Sequence, residues 1–135
     1  MDLYAENILD HYRHPRNAGE LKKFSVRHKE ENLSCGDELS FDLKIKNGKI
    51  SSLAWTGTGC AISQAAMSIL SEELEGISVD SAEKFDSKKI MELLKVPVGP
   101  RRTKCALLCL HALKNALHEF KKEPTQSWTE TISEN

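Results

Sequence analysis

Four residues in this chain combine the side-chain types that bind soft metals and move sulfur: Cys35, Asp37, Cys60 and Cys105. In an extended Cys35-Gly36-Asp37 segment, residues i and i+2 point the same way, so both side chains can face one ion. Cys60 follows Gly57-Thr58-Gly59 where a strand pattern turns helical, and Cys105 stands near the start of the last helical pattern. Helix starts stabilise negative charge and lower a cysteine pKa, and Arg101, Arg102 and Lys104 add positive charge beside Cys105. Three thiolates and one carboxylate suit tetrahedral zinc, or the terminal positions of a two-iron cluster. A hard carboxylate in one position should make such a cluster easier to release. On spacing alone, a shared metal site stands beside a second reading, in which the cysteines are scattered structural or redox thiols. Cys-x-Asp is a short motif, and no Cys-x-x-Cys pair strengthens it.

The fourth cysteine, Cys109, falls on the apolar stripe of the last helix and reads as core, because free cysteine is among the most buried residue types. Its functional alternative is a spare thiol one turn from Cys105, able to relay sulfur or to form a disulfide under oxidation. The five histidines (His11, His14, His28, His111 and His118) lack ligand-type spacing and read as surface or packing residues. No Gly-rich phosphate loop and no Gly-x-Ser-x-Gly elbow is present.

A chain of 135 residues with 39% hydrophobic and 29% charged content can build one modest core. A net charge of -1 offers no basic stripe for nucleic acid, and no run nears the ~18 apolar residues of a membrane span. The opening Met-Asp-Leu-Tyr-Ala-Glu lacks a signal-peptide apolar region. The expectation is a cytoplasmic protein with reduced cysteines and neither nucleic-acid nor membrane partners.

Certain elements must position the four residues. Asp2 to His14 reads as an amphipathic helix with Leu3, Ile8, Leu9 and Tyr12 toward the core, ended by Pro15. Phe24 to His28 reads as an edge strand. Leu39, Phe41, Leu43 and Ile45 alternate with polar residues as in a half-buried strand, and Asn47-Gly48 supplies a two-residue hairpin turn. In a plain hairpin Ile45 opposes Ile50, which puts Leu53 and Trp55 out of phase. A bulge near Ser51-Ser52 is therefore expected. Ile62 to Leu74 has helical spacing, as do the shorter stretches 81–85 and 87–94, and Pro97 and Pro100 bracket a rigid loop. The last helix runs from about Arg102 to Phe120, with Ala106, Leu110, Leu113, Leu117 and Phe120 as its stripe. Residues 1–121 form the expected domain, and 122–135 a polar, disordered tail with Trp128 isolated in it.

At Asp10-His11-Tyr12-Arg13-His14-Pro15-Arg16-Asn17-Ala18-Gly19, Cys35-Gly36-Asp37, Gly57-Thr58-Gly59-Cys60-Ala61-Ile62-Ser63 and Lys104-Cys105-Ala106-Leu107-Leu108, the chain resembles the IscU/SufU/NifU N-terminal family of iron–sulfur cluster assembly proteins. The resemblance implies an α+β fold, a small antiparallel sheet of about three strands covered by helices. It implies a scaffold that assembles and passes on a labile [2Fe-2S] cluster, with Cys35, Asp37, Cys60 and Cys105 as the ligands of iron or zinc. The implied partners are a cysteine desulfurase of the IscS or SufS type and iron–sulfur acceptor or carrier proteins. Cys105, then Cys35, are the candidate persulfide acceptors. Lys104 replaces the histidine usual in IscU-type members, as in SufU-like members, which keeps a zinc-dependent sulfurtransferase as the alternative. The insertion usual in SufU-like members does not fit between Cys60 and Cys105. The Leu-Pro-Pro-Val-Lys segment of IscU is replaced by Val96-Pro97-Val98-Gly99-Pro100-Arg101, which leaves an Hsp70-type chaperone partner without its motif.

Overall fold

The computed structural model describes residues 3–34 and 36–133, with side chains from Glu6 onward. Three strands, β1 (Val26–Asn32), β2 (Asp37–Lys46) and β3 (Lys49–Thr58), form an antiparallel sheet in that order. The alternation in β2 sends Leu39, Phe41 and Leu43 fully into the core, and Phe41 and Leu43 lie opposite Trp55 and Leu53 of β3. Asn47 and Gly48 take φ of 55° and 74°, the pair of positive values that a tight hairpin turn requires. The pairing then jumps from Ile45↔Ile50 to Lys44↔Ser52, leaving Ser51 as the extra residue. The bulge is where the phase conflict required it, and it brings Leu53 and Trp55 onto the core face.

Helices cover the sheet: α1 (Leu3–Arg13), α2 (Ala61–Leu74), α3 (Val79–Glu83), α4 (Ser87–Leu94), α5 (Thr103–Phe120) and α6 (Trp128–Ser133), with a 3₁₀ turn at Pro100–Arg102 before α5. The stripe expected on α5 understates it between Cys105 and Leu117, where every residue is buried, but overreaches at Phe120, which is exposed. Sheet, α2, α4 and α6 surround this helix, so its polar residues are inside as well. Tyr12, expected toward the core, is 42% exposed, whereas Ile8 and His11 of α1 face inward.

The segment after α1 acts as a staple. Arg16 N–H donates to Ser68 Oγ of α2 at 2.9 Å, and His11 Nδ1 lies 2.7 Å from the same oxygen. Trp55 Nε1 donates to Arg16 O, and Gly19 N and Asn17 O complete two backbone bonds with Trp55. The Asp10-to-Gly19 motif thus joins α1, α2 and β3.

The expectation of a disordered tail does not match the structure, in which Trp128 stacks on His111 with ring centroids 4.2 Å apart. Thr131 is fully buried, 2.6 Å from His111 Nδ1, and Gln126 N donates to Asn115 Oδ1 at 2.7 Å. The composition between 122 and 135 is polar, but the buried polar residues of α5 supply partners for it. Deleting residues 124–135 should therefore cost about 2–4 kcal/mol in urea unfolding, the sum of a stacked aromatic and buried hydrogen bonds. An unchanged midpoint would show that α6 does not dock.

Candidate metal and sulfur site

Asp37 is the first residue of β2, Cys60 the residue before α2, and Cys105 the third residue of α5. Their ligand atoms all lie within 4.8 Å of one another. Tetrahedral zinc with bonds near 2.3 Å needs sulfur ligands about 3.8 Å apart, so a small inward movement closes the set. A cavity of about 370 Å³ opens beside them, lined by Asp37, Gly59, Cys60, Arg101, Arg102 and Cys105. Asp37 and Cys105 are buried, and Cys60 is half-buried. Cys35, placed with them by the sequence, lies outside the described residues.

The local chain explains how a carboxylate is held here. Cys60 N–H, a free donor at the start of α2, donates to Asp37 Oδ1 at 3.0 Å. Gly59 lets this contact form: at φ of 145°, a Cβ on Gly59 would sit 2.2 Å from Asp37 Oδ1. The other oxygen, Asp37 Oδ2, is buried and has no hydrogen-bond partner among the described residues. An unpaired buried carboxylate oxygen is costly by itself and is what a cation would satisfy. Two soft thiols and one hard oxygen match zinc or the iron of a cluster, so the donor set fits the implied metals.

The basic residues divide between two cavities. Arg101 and Arg102 line the site, whereas the Lys104 ammonium lies 5.8 Å from the Trp128 ring centroid, in a neighbouring cavity shared with Asn32, Leu33 and Ser34. Cys109 does not join the site. It is fully buried, its Sγ contacts Ala106 O at 3.4 Å, and burial pushes its thiol up to about 12. None of the histidines belongs to the metal-ligand group among the described residues. Sequence reasoning missed Asn32, 1% exposed, whose Nδ2 donates toward Cys105 Sγ at 4.0 Å. The available signal was its place two residues beyond Glu30 on the inward phase of β1, where a polar side chain needs a partner.

With this geometry in view, the sequence profile of the NifU-like N terminal domain matches residues 3–127. The chain belongs to that family. The iron–sulfur cluster assembly enzyme IscU of Drosophila melanogaster is 34% identical over 123 residues, covering 88% of this chain and 79% of that protein. The iron–sulfur cluster assembly scaffold protein IscU of Thermotoga maritima is 30% identical over 136 residues, covering 89% and 96%. Among solved structures, a candidate SUF-system cluster assembly scaffold from Fervidobacterium islandicum superimposes with a TM-score of 0.74 at 26% identity, over 83% of this chain and 94% of that one. The family match agrees with the resemblance carried by the motifs and with the three-stranded antiparallel sheet covered by helices.

Two substitutions probe the site against its surroundings. Gly59→Ala combines a forbidden φ with a clash on Asp37, so it should cost about 2–5 kcal/mol and weaken zinc binding at least about tenfold. Gly48→Ala meets only the milder left-handed penalty at φ of 74° and has open space, and should cost about 1 kcal/mol and leave zinc affinity unchanged. Calorimetric titration with zinc separates them, and equal losses would remove the Gly59–Asp37 contact as the cause. In the folded chain, iodoacetamide at pH 8 should label Cys60 and spare Cys109, and mass spectrometry of Cys109 peptides would expose an error in its burial.

Proposed function

We propose that this chain is a scaffold on which a labile [2Fe-2S] cluster is assembled and then released to acceptor proteins. The observation that carries this reading is the Asp37 carboxylate beside two cysteines, with Oδ2 unpaired among the described residues: one hard ligand among soft ones. Cys35, Asp37, Cys60 and Cys105 hold the cluster as cargo. The hard carboxylate binds iron less tightly than a fourth thiolate would, which favours release over storage. The names of the relatives support assembly, and the expected partners are a cysteine desulfurase and iron–sulfur acceptor proteins in the cytoplasm.

Sulfur delivery on this reading is a persulfide exchange. The acceptor thiolate attacks the outer sulfur of the desulfurase persulfide, and the donor cysteine leaves as its thiolate; an external reductant then supplies the two electrons that release the bound sulfur as sulfide. Cys105 is the first candidate acceptor: it faces the cavity beside Arg101 and Arg102, which can hold an anionic donor near it. Cys35 is the second. The alternative, a zinc-dependent sulfurtransferase, is favoured by one observation. Position 104 offers an ammonium drawn over Trp128 in place of a metal-binding imidazole, which leaves zinc to the three cysteines and Asp37.

Anaerobic reconstitution of Asp37→Ala tests the role of the carboxylate. The cluster should persist several-fold longer and pass to an apo-ferredoxin more slowly. Unchanged lifetime would remove Asp37 as the release ligand. Desulfurase stimulation by the zinc-loaded chain without cluster transfer would select the alternative.

A further inference from the structure

The buried amide of Asn32 has a use that strand pairing does not explain. Asn32 ends β1, directly opposite Asp37, and its carbonyl accepts from Gly36 N at 2.9 Å, closing the turn between β1 and β2. Those are main-chain tasks that many residues could perform. Its side chain instead turns inward at 1% exposure, and Nδ2 points at Cys105 Sγ across the space between β1 and α5. Burying a carboxamide beside a sulfur is unfavourable unless the contact has value, because a neutral thiol accepts weakly. A thiolate accepts strongly. A donor aimed at 4.0 Å is long for a neutral pair, and a charged acceptor draws such bonds shorter.

We propose that Asn32 is a positioning residue for Cys105: its amide N–H holds the sulfur toward Asp37 and Cys60 and lowers its electron density when it binds a metal. The proposal rests on the reading of Cys105 as a ligand. Hydrogen bonds to ligand sulfurs are among the levers that tune a metal–thiolate site, and ligands held by surrounding hydrogen bonds are better oriented. Asn32 also couples two parts of the site, since the same residue anchors the turn before Asp37 and reaches the helix that carries Cys105. No charge moves in this arrangement and no bond is broken. The amide acts on the energy of the sulfur lone pairs.

Cobalt(II) added to the full-length chain under anaerobic conditions supplies the readout, because thiolate-to-cobalt charge transfer reports on the sulfur directly. In Asn32→Leu, close in shape and without a donor, the band should move to lower energy, since a sulfur relieved of its hydrogen bond gives up an electron more easily. Asn32→Ala only removes atoms, so it should fold if Asn32→Leu does not, and should move the band the same way. Asn32→Gln keeps the amide and should hold the band near its original position. The proposal is overturned if neither Asn32→Leu nor Asn32→Ala shifts the band. It is equally overturned if Asn32→Gln shifts it as far as they do, which is the outcome for a packing role. Cys105→Ser provides the separate control: a band of undiminished intensity would reject Cys105 as a ligand, a failure distinct from an Asn32 series that does not move.

Discussion

The hydrogen bond from Cys60 N–H to Asp37 Oδ1 joins the start of β2 to the start of α2, and the arrangement of the site follows from it. A helix start has N–H groups to offer, and a carboxylate at a strand start can accept one without further help. Gly59 is the condition for that contact, because a side chain there would occupy the position of the carboxylate oxygen. Once Oδ1 is fixed in this way, Oδ2 has no partner within the described chain, and one oxygen of this carboxylate lies within 4.8 Å of the sulfurs of Cys60 and Cys105. The cost of leaving that oxygen unpaired is borne by the fold and can be recovered by a bound cation. The site is in this sense built short of one contact among the described residues.

Supporting features lie well away from the chemistry. The Asp10-to-Gly19 segment, prominent among the motifs that identify the family, supports the site through α2 and β3. It binds Ser68 and Ser71 of α2 and the backbone of Trp55, and so fixes the helix whose first turn follows Cys60. The burial of α5 on all sides fixes Cys105 likewise, since a helix enclosed by a sheet and three other helices has little freedom to shift. Three elements with separate supports therefore meet at one cavity, and Asp37, Cys60 and Cys105 belong to the elements rather than to one continuous loop.

Much of this was legible in the sequence where one local rule applied. Period-two alternation located β2, Asn47-Gly48 located its turn, and the phase conflict between Ile45 and Trp55 located the bulge. Cys60 and Cys105 could be placed at helix starts because glycine and proline mark those boundaries. Local rules failed where long-range partners decide. Residues 122–135 look like a polar tail until His111 and Asn115 are seen buried on α5 with partners among them. Tyr12 fits a helical stripe, but the rotation of α1 is set by His11 reaching Ser68. Asn32 was passed over for the same reason, because its partner is a sulfur 73 residues further along the chain. Lys104 was expected to add charge beside Cys105, yet its ammonium lies over Trp128, a residue the sequence left isolated.

The central claim is that these ligands hold iron together with sulfide, not a lone metal ion. The direct measurement is iron, zinc and acid-labile sulfide per chain after anaerobic reconstitution of the full-length protein with its desulfurase, compared with Cys60→Ser and Cys105→Ser. The account predicts iron and sulfide in equal amounts in the parent chain, and loss of both in either variant. Zinc retained without sulfide in the parent chain would contradict it.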